Sequence, residues 1–383
     1  MRILTTHAGS LPRAEVVRDL LVGESRGRDI DPRLFEDAVE AATRDVVERQ
    51  LKAGIDIIGD GEQGRESFFS YVQHRMSGFG GRSGRKPMAD MHDYEGYRER
   101  MVAKAHPGPS VNLAAPPRIL GEIRYVNPAP LERECERFRR LLEAKGRSPD
   151  TAFLTAPSPG IIAAAADDDV YPSMDARLAA IGDALKTEYD AIAAFGFCLQ
   201  IDAPDLAMER HCLFADESLD SYLSFARGVV ETINRALRDV PSNQVRLHVC
   251  WGNYEGPHDR DVPLEAIWDV ITEANVGGLL LSMANPRHAH EYRLLDRLRW
   301  RDGYQLIAGV IDTTTNYVEH PEVVADRLER IARTVPDPSK LVAGTDCGFE
   351  TAAGFLSVHA PIAWAKLNSL TEGAALASKR LFG

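Results

Sequence analysis

The stretch PRLFEDAVEAATRDVVERQLKAGIDIIG, residues 32–59, contains one complete helix-to-strand unit. Phe35, Val39, Ala42 and Val46 recur at helical spacing and form one apolar stripe. The Asp-Pro pair at its start and the glycine after its last turn supply the N-cap, the first-turn proline and the C-terminal glycine of a helix. The apolar run that follows is typical of a buried strand, so this stretch predicts a helix that leads directly into the sheet.

The same alternation recurs along the chain. Eight short apolar, β-branched runs have almost no polar alternation, which indicates parallel strands buried on both faces. These predicted strands cover residues 3–6, 55–59, 152–155, 197–201, 245–249, 278–281, 305–311 and 341–345. Predicted helices cover residues 32–53, 176–195, 218–237, 264–275, 288–300, 321–335 and 358–381.

Eight buried strands that alternate with helices predict an α/β protein with a TIM (β/α)8 barrel rather than a doubly wound sheet. No G-x-G-x-x-G phosphate loop follows a predicted strand. Residues 64–150 break the pattern, because they contain the glycine-rich loop at 77–81 and one more strand-like run at 119–125. We therefore expect a single barrel domain over residues 1–383, with residues 64–150 as an insertion or hairpin lid after the second strand.

Composition excludes several classes of function. The net charge of −12 argues against a nucleic-acid partner, which would require clustered cations. No run approaches the roughly 18 to 20 apolar residues of a membrane span, and the first residues do not form a signal peptide. Five irregularly spaced cysteines do not suit a disulfide framework. We expect a cytoplasmic protein whose clustered cysteines serve a metal or catalysis.

Polar residues follow the predicted strands one after another, at the end where a barrel gathers its chemistry. One such residue means little, because helix N-caps are also Ser, Thr, Asp or Asn. Eight strand ends in succession, with two histidines and two cysteines among them, indicate a site. The candidates are His7, Gly9, Ser10, Asp60, Glu62, Ser158, Asp202, His248, Cys250, Asn285, Asp312 and Cys347.

His248 and Cys250 alternate on one strand, so both side chains point to the same face. Zinc prefers thiolate and imidazole ligands in a tetrahedron, and Cys347 ends the last predicted strand, where it can supply a third ligand. The alternative is a buried small residue beside a hydrogen-bonded histidine. We predict a Zn²⁺ cofactor bound by these three residues. We interpret the other cysteines, and the pair His288 and His290, as structural or rim residues.

Glu62 and Asp202 follow strands that end at the expected barrel mouth. A carboxylate in that position either caps a helix or pairs with a cationic group of a substrate. The second interpretation predicts a substrate with an ammonium group.

Seven motifs together resemble the catalytic barrel of cobalamin-independent methionine synthase and its short single-barrel relatives, which include epoxyalkane:coenzyme M transferases. The resemblance covers essentially the whole chain. The motifs are TTHAGSLPR at 5–13, GDGEQGR at 59–65, LQIDAPDL at 199–206, HVCWGNYEGPH at 248–258, ANPRHAHE at 284–291, GVIDTTTN at 309–316 and TDCGF at 345–349.

The resemblance implies a zinc site at the predicted His-x-Cys pair and distant cysteine, and it implies that Gly9, Ser10, Glu62 and Asp202 surround the amino-acid part of homocysteine. One position departs from the synthase pattern. Ser282 stands where the synthases have a glutamate ligand. Because serine is a poor zinc ligand, we expect three protein ligands and an open or water-filled fourth position.

Two enzyme functions remain open. Methyl transfer to homocysteine or a related thiol, as in methionine biosynthesis, suits the two acids. Addition of a thiol such as coenzyme M to an epoxide would instead use Arg13 and Arg65 for the sulfonate, with His7 or Asp312 as the acid that protonates the departing oxygen. A third possibility is a barrel that binds a ligand without turnover.

The expected partners are a small thiol and an alkyl donor. Asp60, Ser158 and Asn285 are further candidates for substrate binding at the strand ends. The apolar run at 355–364 is compatible with core packing or with a homo-oligomer surface.

Overall fold

This computed structural model describes the backbone of residues 1–105 and 108–383, and the side chains of all residues except 102–107. The strands are β1 (Leu4–Thr5), β2 (Ile58–Gly59), β3 (Phe79–Gly80), β4 (Arg118–Ile119), β5 (Ala152–Pro157), β6 (Cys198–Asp202), β7 (Val245–Val249), β8 (Gly278–Ser282), β9 (Gln305–Ile311) and β10 (Leu341–Thr345). The α-helices are α1 (Glu15–Ser25), α2 (Pro32–Lys52), α3 (Tyr97–Ala105), α4 (Ala129–Glu143), α5 (Pro159–Ala165), α6 (Met174–Ala194), α7 (Leu219–Ala236), α8 (Leu264–Thr272), α9 (Pro321–Ala332) and α10 (Ala360–Phe382).

Eight strands form one parallel sheet, in the order β1-β10-β9-β8-β7-β6-β5-β2. A parallel bridge between Thr6 and Ile57 joins the two ends of this order, and the Ile57 amide donates to the Thr5 carbonyl at 2.9 Å. The sheet therefore closes into a barrel with its helices on the outside, which confirms the predicted (β/α)8 fold.

The strand register places the carboxyl ends of neighbouring strands at one level. Asp202 on β6 lies opposite His248 on β7. Between β9 and β10 the register shifts at Gly344 and Thr345, immediately before the loop that contains Cys347. Because all eight strands are parallel, their C-terminal loops meet at the same mouth.

The insertion after β2 adds a small second layer at this mouth. Strands β3 and β4 pair antiparallel, and α3 lies in the connection between them. Helix α4 packs against α2 and α6, so it takes a place in the outer helix layer of the barrel. The chain thus leaves the barrel repeat after β2 and rejoins it at α4.

Two predicted elements differ in the structure. Residues 288–300 contain only a short 3₁₀ helix, Glu291–Leu294, among turns. The strand-like run at 119–125 pairs only at its two ends, where Ile119 belongs to β4 and Tyr125 forms an isolated antiparallel bridge with Met76. Among the described residues, no helix combines the length and the apolar character that crossing a bilayer requires.

Candidate metal centre and substrate cavity

Three metal-binding side chains converge at the barrel mouth. His248 lies on β7, Cys250 follows the end of that strand, and Cys347 follows β10. One ligand atom from each of them lies within 4.8 Å of the other two, and all three residues are buried. Strand alternation brings the first two to one face, and the third meets them because the carboxyl ends of β7 and β10 lie at the same mouth of the closed barrel. The predicted residues are therefore brought together.

The imidazole of His248 is held in a defined orientation. Its Nδ1 lies 2.9 Å from Asp202 Oδ1, which also accepts a hydrogen bond from Gln200 Nε2 at 2.7 Å. An Nδ1–H that donates to a carboxylate leaves the Nε2 lone pair for a cation, which is the arrangement usual around metal-bound histidines. Nε2 lies 3.1 Å from the Asp346 carbonyl oxygen. The donor set and its hydrogen bonding fit a zinc ion.

The two sulfur atoms share a proton unequally. A hydrogen bond from Cys347 lowers the pKa of Cys250 well below that of a free thiol; burial opposes this effect and His248 adds to it. The same hydrogen bond, together with burial, raises the pKa of Cys347. Burial alone would lower the pKa of His248, but its bonds to Asp202 and Cys250 raise it to about 10. The pocket thus favours one thiolate even before a cation adds its charge.

Ser282 ends β8 beside this cluster. Its hydroxyl donates to the Asp346 carbonyl at 3.0 Å, and the residue lines a small crevice together with Cys347. A hydroxyl engaged with a carbonyl is a poor metal ligand. This placement is consistent with a three-residue protein ligand set.

A cavity of about 280 Å³ opens beside the cluster. The barrel contributes polar residues to its wall, and the insertion contributes both apolar and cationic ones. The polar residues from the barrel include Ser10, Glu62, Asp202, Asn253 and the three candidate ligands. The apolar residues from the insertion include Met88, Met91, Met101 and Leu113.

Glu62 has the most unusual environment in this cavity. It adopts a left-handed backbone conformation, with φ of 56°. Its Oε1 accepts from Thr155 Oγ1 at 2.9 Å, whereas its buried Oε2 has no hydrogen-bond partner among the described residues. Burial and the charge of Asp202 raise its pKa to about 7, against the opposing charges of Arg65 and Arg13. Strain and an unpaired buried carboxylate oxygen are typical of a ligand site.

Gly9 lies directly against this carboxylate. Its φ is +130°, and a Cβ atom at this position would stand 2.6 Å from Glu62 Oε1. Ser10, the next residue, lines the cavity, and its carbonyl accepts from the Phe349 amide at 2.8 Å. The loop after β1 therefore connects Glu62 with the loop that carries Cys347.

Besides Gly9, three predicted site residues line neither the cavity nor the small crevice that contains Ser282. His7 is buried, its Nε2 lies 2.8 Å from Gln50 Oε1, and burial lowers its pKa to about 3. The Asp60 carboxylate accepts from the Glu62 amide at 3.0 Å, and burial followed by the charge of Glu134 raises its pKa to about 6. Ser158 is the N-cap of α5. These side chains support neighbouring backbone rather than line the cavity.

Asn285 and Asp312 line the small crevice on the other side of Cys347. Asp312 accepts hydrogen bonds from the amide and the hydroxyl of Thr314, at 2.9 and 2.8 Å. Asp346 forms the back of this crevice: its carboxylate accepts from the amides of residues 283, 284 and 285 at 2.8 to 2.9 Å. Burial raises the pKa of Asp346 to about 7 despite these bonds.

Arg13 and Arg65, which the epoxide interpretation assigns to a sulfonate, are both engaged elsewhere. Arg13 donates to the carbonyls of Arg65 and Glu350, and Arg65 pairs with Glu134 at 2.7 Å. Neither lines the cavity. Lys86 and Arg98, from the insertion, do line it. Sequence reasoning missed both, because an irregular insertion has no periodicity from which to place its side chains.

The fold and this thiol-rich mouth can be set beside known proteins. Residues 109–361, about two thirds of the chain, match the family described as cobalamin-independent synthase, catalytic domain. The chain therefore belongs to this family of methionine synthase-like methyltransferases.

Curated relatives have names from this family, and a solved structure shares the fold. The methionine synthase of Thermococcus kodakarensis is 27% identical over 348 residues, which cover 91% of this chain and 85% of the relative. The 5-methyltetrahydropteroyltriglutamate–homocysteine methyltransferase of Streptomyces coelicolor is 25% identical over 91% of this chain, which spans 39% of that protein. A B12-independent methionine synthase from Shewanella, solved in complex with selenomethionine, superimposes on this chain with a TM-score of 0.75 at 20% sequence identity. The superposition covers 100% of this chain and 99% of the Shewanella chain.

Proposed function

We propose that the protein is a zinc-dependent thiol S-alkyltransferase that methylates homocysteine or a closely related amino thiol. The observation that carries this proposal is the juxtaposition of the His248, Cys250 and Cys347 cluster with the unpaired carboxylate of Glu62 in one cavity. The names of the relatives add support, because they describe homocysteine methyltransferases.

His248, Cys250 and Cys347 would hold the zinc. When bound, zinc supplies Lewis acidity that lowers the pKa of a substrate thiol, so that the sulfur reacts as a thiolate at neutral pH. With Ser282 in the place of a fourth protein ligand, no side chain has to leave before a substrate sulfur approaches. The low pKa of the Cys250 thiol keeps one thiolate in this cluster, where it can bind a cation.

Glu62 and Asp202 would bind the ammonium group of the amino thiol. Glu62 Oε2 has an unused acceptor site, and the pKa of about 7 means that an arriving cation would complete its ionisation. Asp202 adds a second charge to the same wall, although one of its oxygens also orients His248. These acids therefore orient the substrate and connect its binding with the metal centre.

In the reaction, the substrate sulfur would attack the methyl carbon of the donor. A carbon–sulfur bond forms as the bond between the methyl group and the donor breaks, and the electron pair of that bond leaves with the donor. For the addition of a thiol to an epoxide, His7 or Asp312 stays our predicted acid for the departing oxygen. The apolar side chains of Met88, Met91 and Met101 would exclude water during the transfer. Because the insertion supplies these apolar side chains, we also propose that it is a lid over the cavity within a single-domain chain.

Addition of a thiol to an epoxide is a second candidate, and Lys86 and Arg98 favour it. These two cations line the cavity from the insertion, where they could bind an anionic group of either the thiol or the electrophile. The acids near the metal cluster favour the amino thiol as the sulfur substrate in both cases.

The test measures product formation by the zinc-loaded protein from each of two thiols, homocysteine and coenzyme M, with either a methyl donor or an epoxide. We expect methionine from homocysteine and a methyl donor, and little product from coenzyme M or from an epoxide. Cys347→Ser should lose the activity and its zinc, whereas Cys198→Ala, a cysteine on β6 outside the cluster, should keep both. Faster turnover of coenzyme M with the epoxide would replace our proposal by the second candidate, and binding without any product would leave a ligand-binding barrel.

A further inference from the structure

A second group of metal-binding side chains lies below the cavity wall, away from the thiol cluster. One ligand atom each from His258, Asp261 and His288 lies within 4.8 Å of the other two. His211 joins them, with its Nδ1 2.8 Å from Asp261 Oδ1. The side chains of all four are at most 4% exposed.

These residues come from three successive loops at the mouth of the barrel. His211 belongs to the loop after β6, His258 and Asp261 to the loop after β7, and His288 to the loop after β8. His258 is held in a left-handed conformation, with φ of 54°. A strained, buried histidine in a long loop is unusual unless something fixes it there.

The hydrogen-bond partners of His258 and His288 do not by themselves determine how many protons each imidazole ring carries. His258 faces the Tyr254 carbonyl with Nε2, at 3.1 Å, and Asp261 Oδ2 with Nδ1, at 2.8 Å. His288 faces Glu291 Oε2 with Nδ1, at 2.9 Å, and Asp261 Oδ2 with Nε2, at 2.6 Å. Each ring thus lies between two acceptors, although a neutral imidazole has a single N–H.

Two arrangements satisfy this geometry. Both rings can be imidazolium ions that neutralise Asp261 and Glu291. Alternatively, each ring donates its one N–H outwards, to Tyr254 or Glu291, and turns the other nitrogen towards a cation shared with Asp261. The second arrangement is the usual one around metals, where a carbonyl or carboxylate orients each histidine from behind.

His211 distinguishes between the two. Its Nε2 is buried and has no hydrogen-bond partner among the described residues, whereas its Nδ1 lies 2.8 Å from Asp261 Oδ1. A proton network would leave Nε2 unsatisfied at a cost of about 1–3 kcal/mol. A cation would give His211 and Asp261 a common partner.

We propose that His211, His258, His288 and Asp261 form a second metal site, which takes a divalent first-row transition ion such as Zn²⁺. Three imidazoles and one carboxylate suit zinc, cobalt or nickel, and the absence of a thiolate from this set distinguishes it chemically from the first cluster. With Asp261 and Glu291 ionised and the histidines neutral, one divalent cation makes the site electrically neutral.

This ion would order the loop after β7, and that loop is hydrogen-bonded to the insertion. Tyr254 OH and the His258 amide both donate to Asp90 Oδ2 in the insertion, at 2.5 and 2.9 Å. Trp251, which follows Cys250, stacks on His288 with ring centroids 3.9 Å apart. The site thus lies between the lid and the strand end that carries the first cluster, and its role is structural.

The test measures zinc and cobalt stoichiometry of the full chain after loading and desalting. We expect about two ions per chain in the wild type and about one in Asp261→Asn, whereas His290→Gln, an exposed histidine two positions from His288, should keep both. Cys347→Ser should lose the other ion. In the cobalt protein, the spectrum lost in Asp261→Asn should contain ligand-field bands without sulfur-to-cobalt charge transfer.

A wild type that binds only one ion, with that ion lost in Cys347→Ser and kept in Asp261→Asn, would show that the cluster is a proton network and would overturn the proposal. Should Asp261→Asn fail to fold, the wild type alone decides. Titration of the metal-free chain with zinc should show two equivalents and a rise in melting temperature with each, and one equivalent would again overturn the second site. Neither result depends on which thiol the protein methylates.

Discussion

Replacement of Glu62 by glutamine removes one negative charge from the substrate cavity and little else. The amide oxygen can still accept from Thr155 Oγ1, which is 2.9 Å away in the native protein. In the free protein, the rise of the Glu62 pKa from 4.5 to about 7 corresponds to a penalty of about 3 kcal/mol on the ionised form. An ammonium group that binds there would relieve this penalty. Glu62→Gln should therefore weaken an amino thiol specifically.

The expected size follows from the bond that is lost. A hydrogen bond between charged groups contributes about 1.5–3 kcal/mol, so the Kd of homocysteine should rise about 10- to 100-fold in Glu62→Gln. Coenzyme M carries no ammonium group, so its Kd should stay the same or fall. Calorimetric titration of the zinc-loaded protein with each thiol provides both numbers. Glu66→Gln is the matched control, because Glu66 is also buried but bonds to Ser70 and Gln73 outside the cavity.

The pH dependence provides a second measurement on the same side chain. Ionised Glu62 is the form that binds an ammonium group, so protonation below its pKa of about 7 should weaken homocysteine binding. Each thiol would also lose a proton when it binds the metal, and the ratio of the two affinities cancels this shared pH dependence. The preference for homocysteine over coenzyme M should fall about tenfold per pH unit below 7 in the wild type and stay flat in Glu62→Gln. A ratio that does not change with pH, or equal losses for both thiols, would refute the assignment of the ammonium site.

Three further changes test other parts of the site. Gly9→Ala would place a Cβ atom 2.6 Å from Glu62 Oε1, so the KM for the thiol should rise at least about tenfold while zinc content stays constant. Asp346→Ala would leave the amides of Ala284 and Asn285 without their acceptor, whereas the Met283 amide keeps its bond to the Gly309 carbonyl. At about 1 kcal/mol or more for each lost bond we expect a loss of at least about 2 kcal/mol, measured by denaturant unfolding with and without zinc. Lys86→Ala should raise the KM for an anionic donor and leave thiol affinity unchanged, and unchanged donor kinetics would remove Lys86 from the donor site.

The barrel and the metal cluster were predictable because they depend on short-range rules. Alternation along β7 fixes the common direction of His248 and Cys250, and parallel strands place Cys347 at the same mouth. His7 shows the limit of this reasoning. It also follows a strand, but its side chain turns towards Gln50 on α2 rather than into the cavity. A position directly after a strand does not by itself determine whether the side chain points into the cavity or towards the surrounding helices.

The insertion and the second cluster were not predictable in the same way. Met88 and Lys86 reach the cavity because the chain leaves the barrel and folds back over its mouth, and no periodicity encodes that path. His288 was expected in a helix, where its neighbours would have been three or four residues away. In the structure this segment is a series of turns, so His288 instead meets His258 and Asp261 from a different loop.

The closure of the barrel between β1 and β2 has a consequence for motion. Both strands are only two residues long, and a single bridge between Thr6 and Ile57 joins them. Local unfolding starts where few backbone hydrogen bonds must break, so amide hydrogen exchange within the barrel should be fastest along this seam. Gly9 and Glu62 follow the two strands of the seam. A thiol substrate that contacts both Gly9 and Glu62 would hold the two strands together. Binding of this substrate should therefore slow amide hydrogen exchange along the seam.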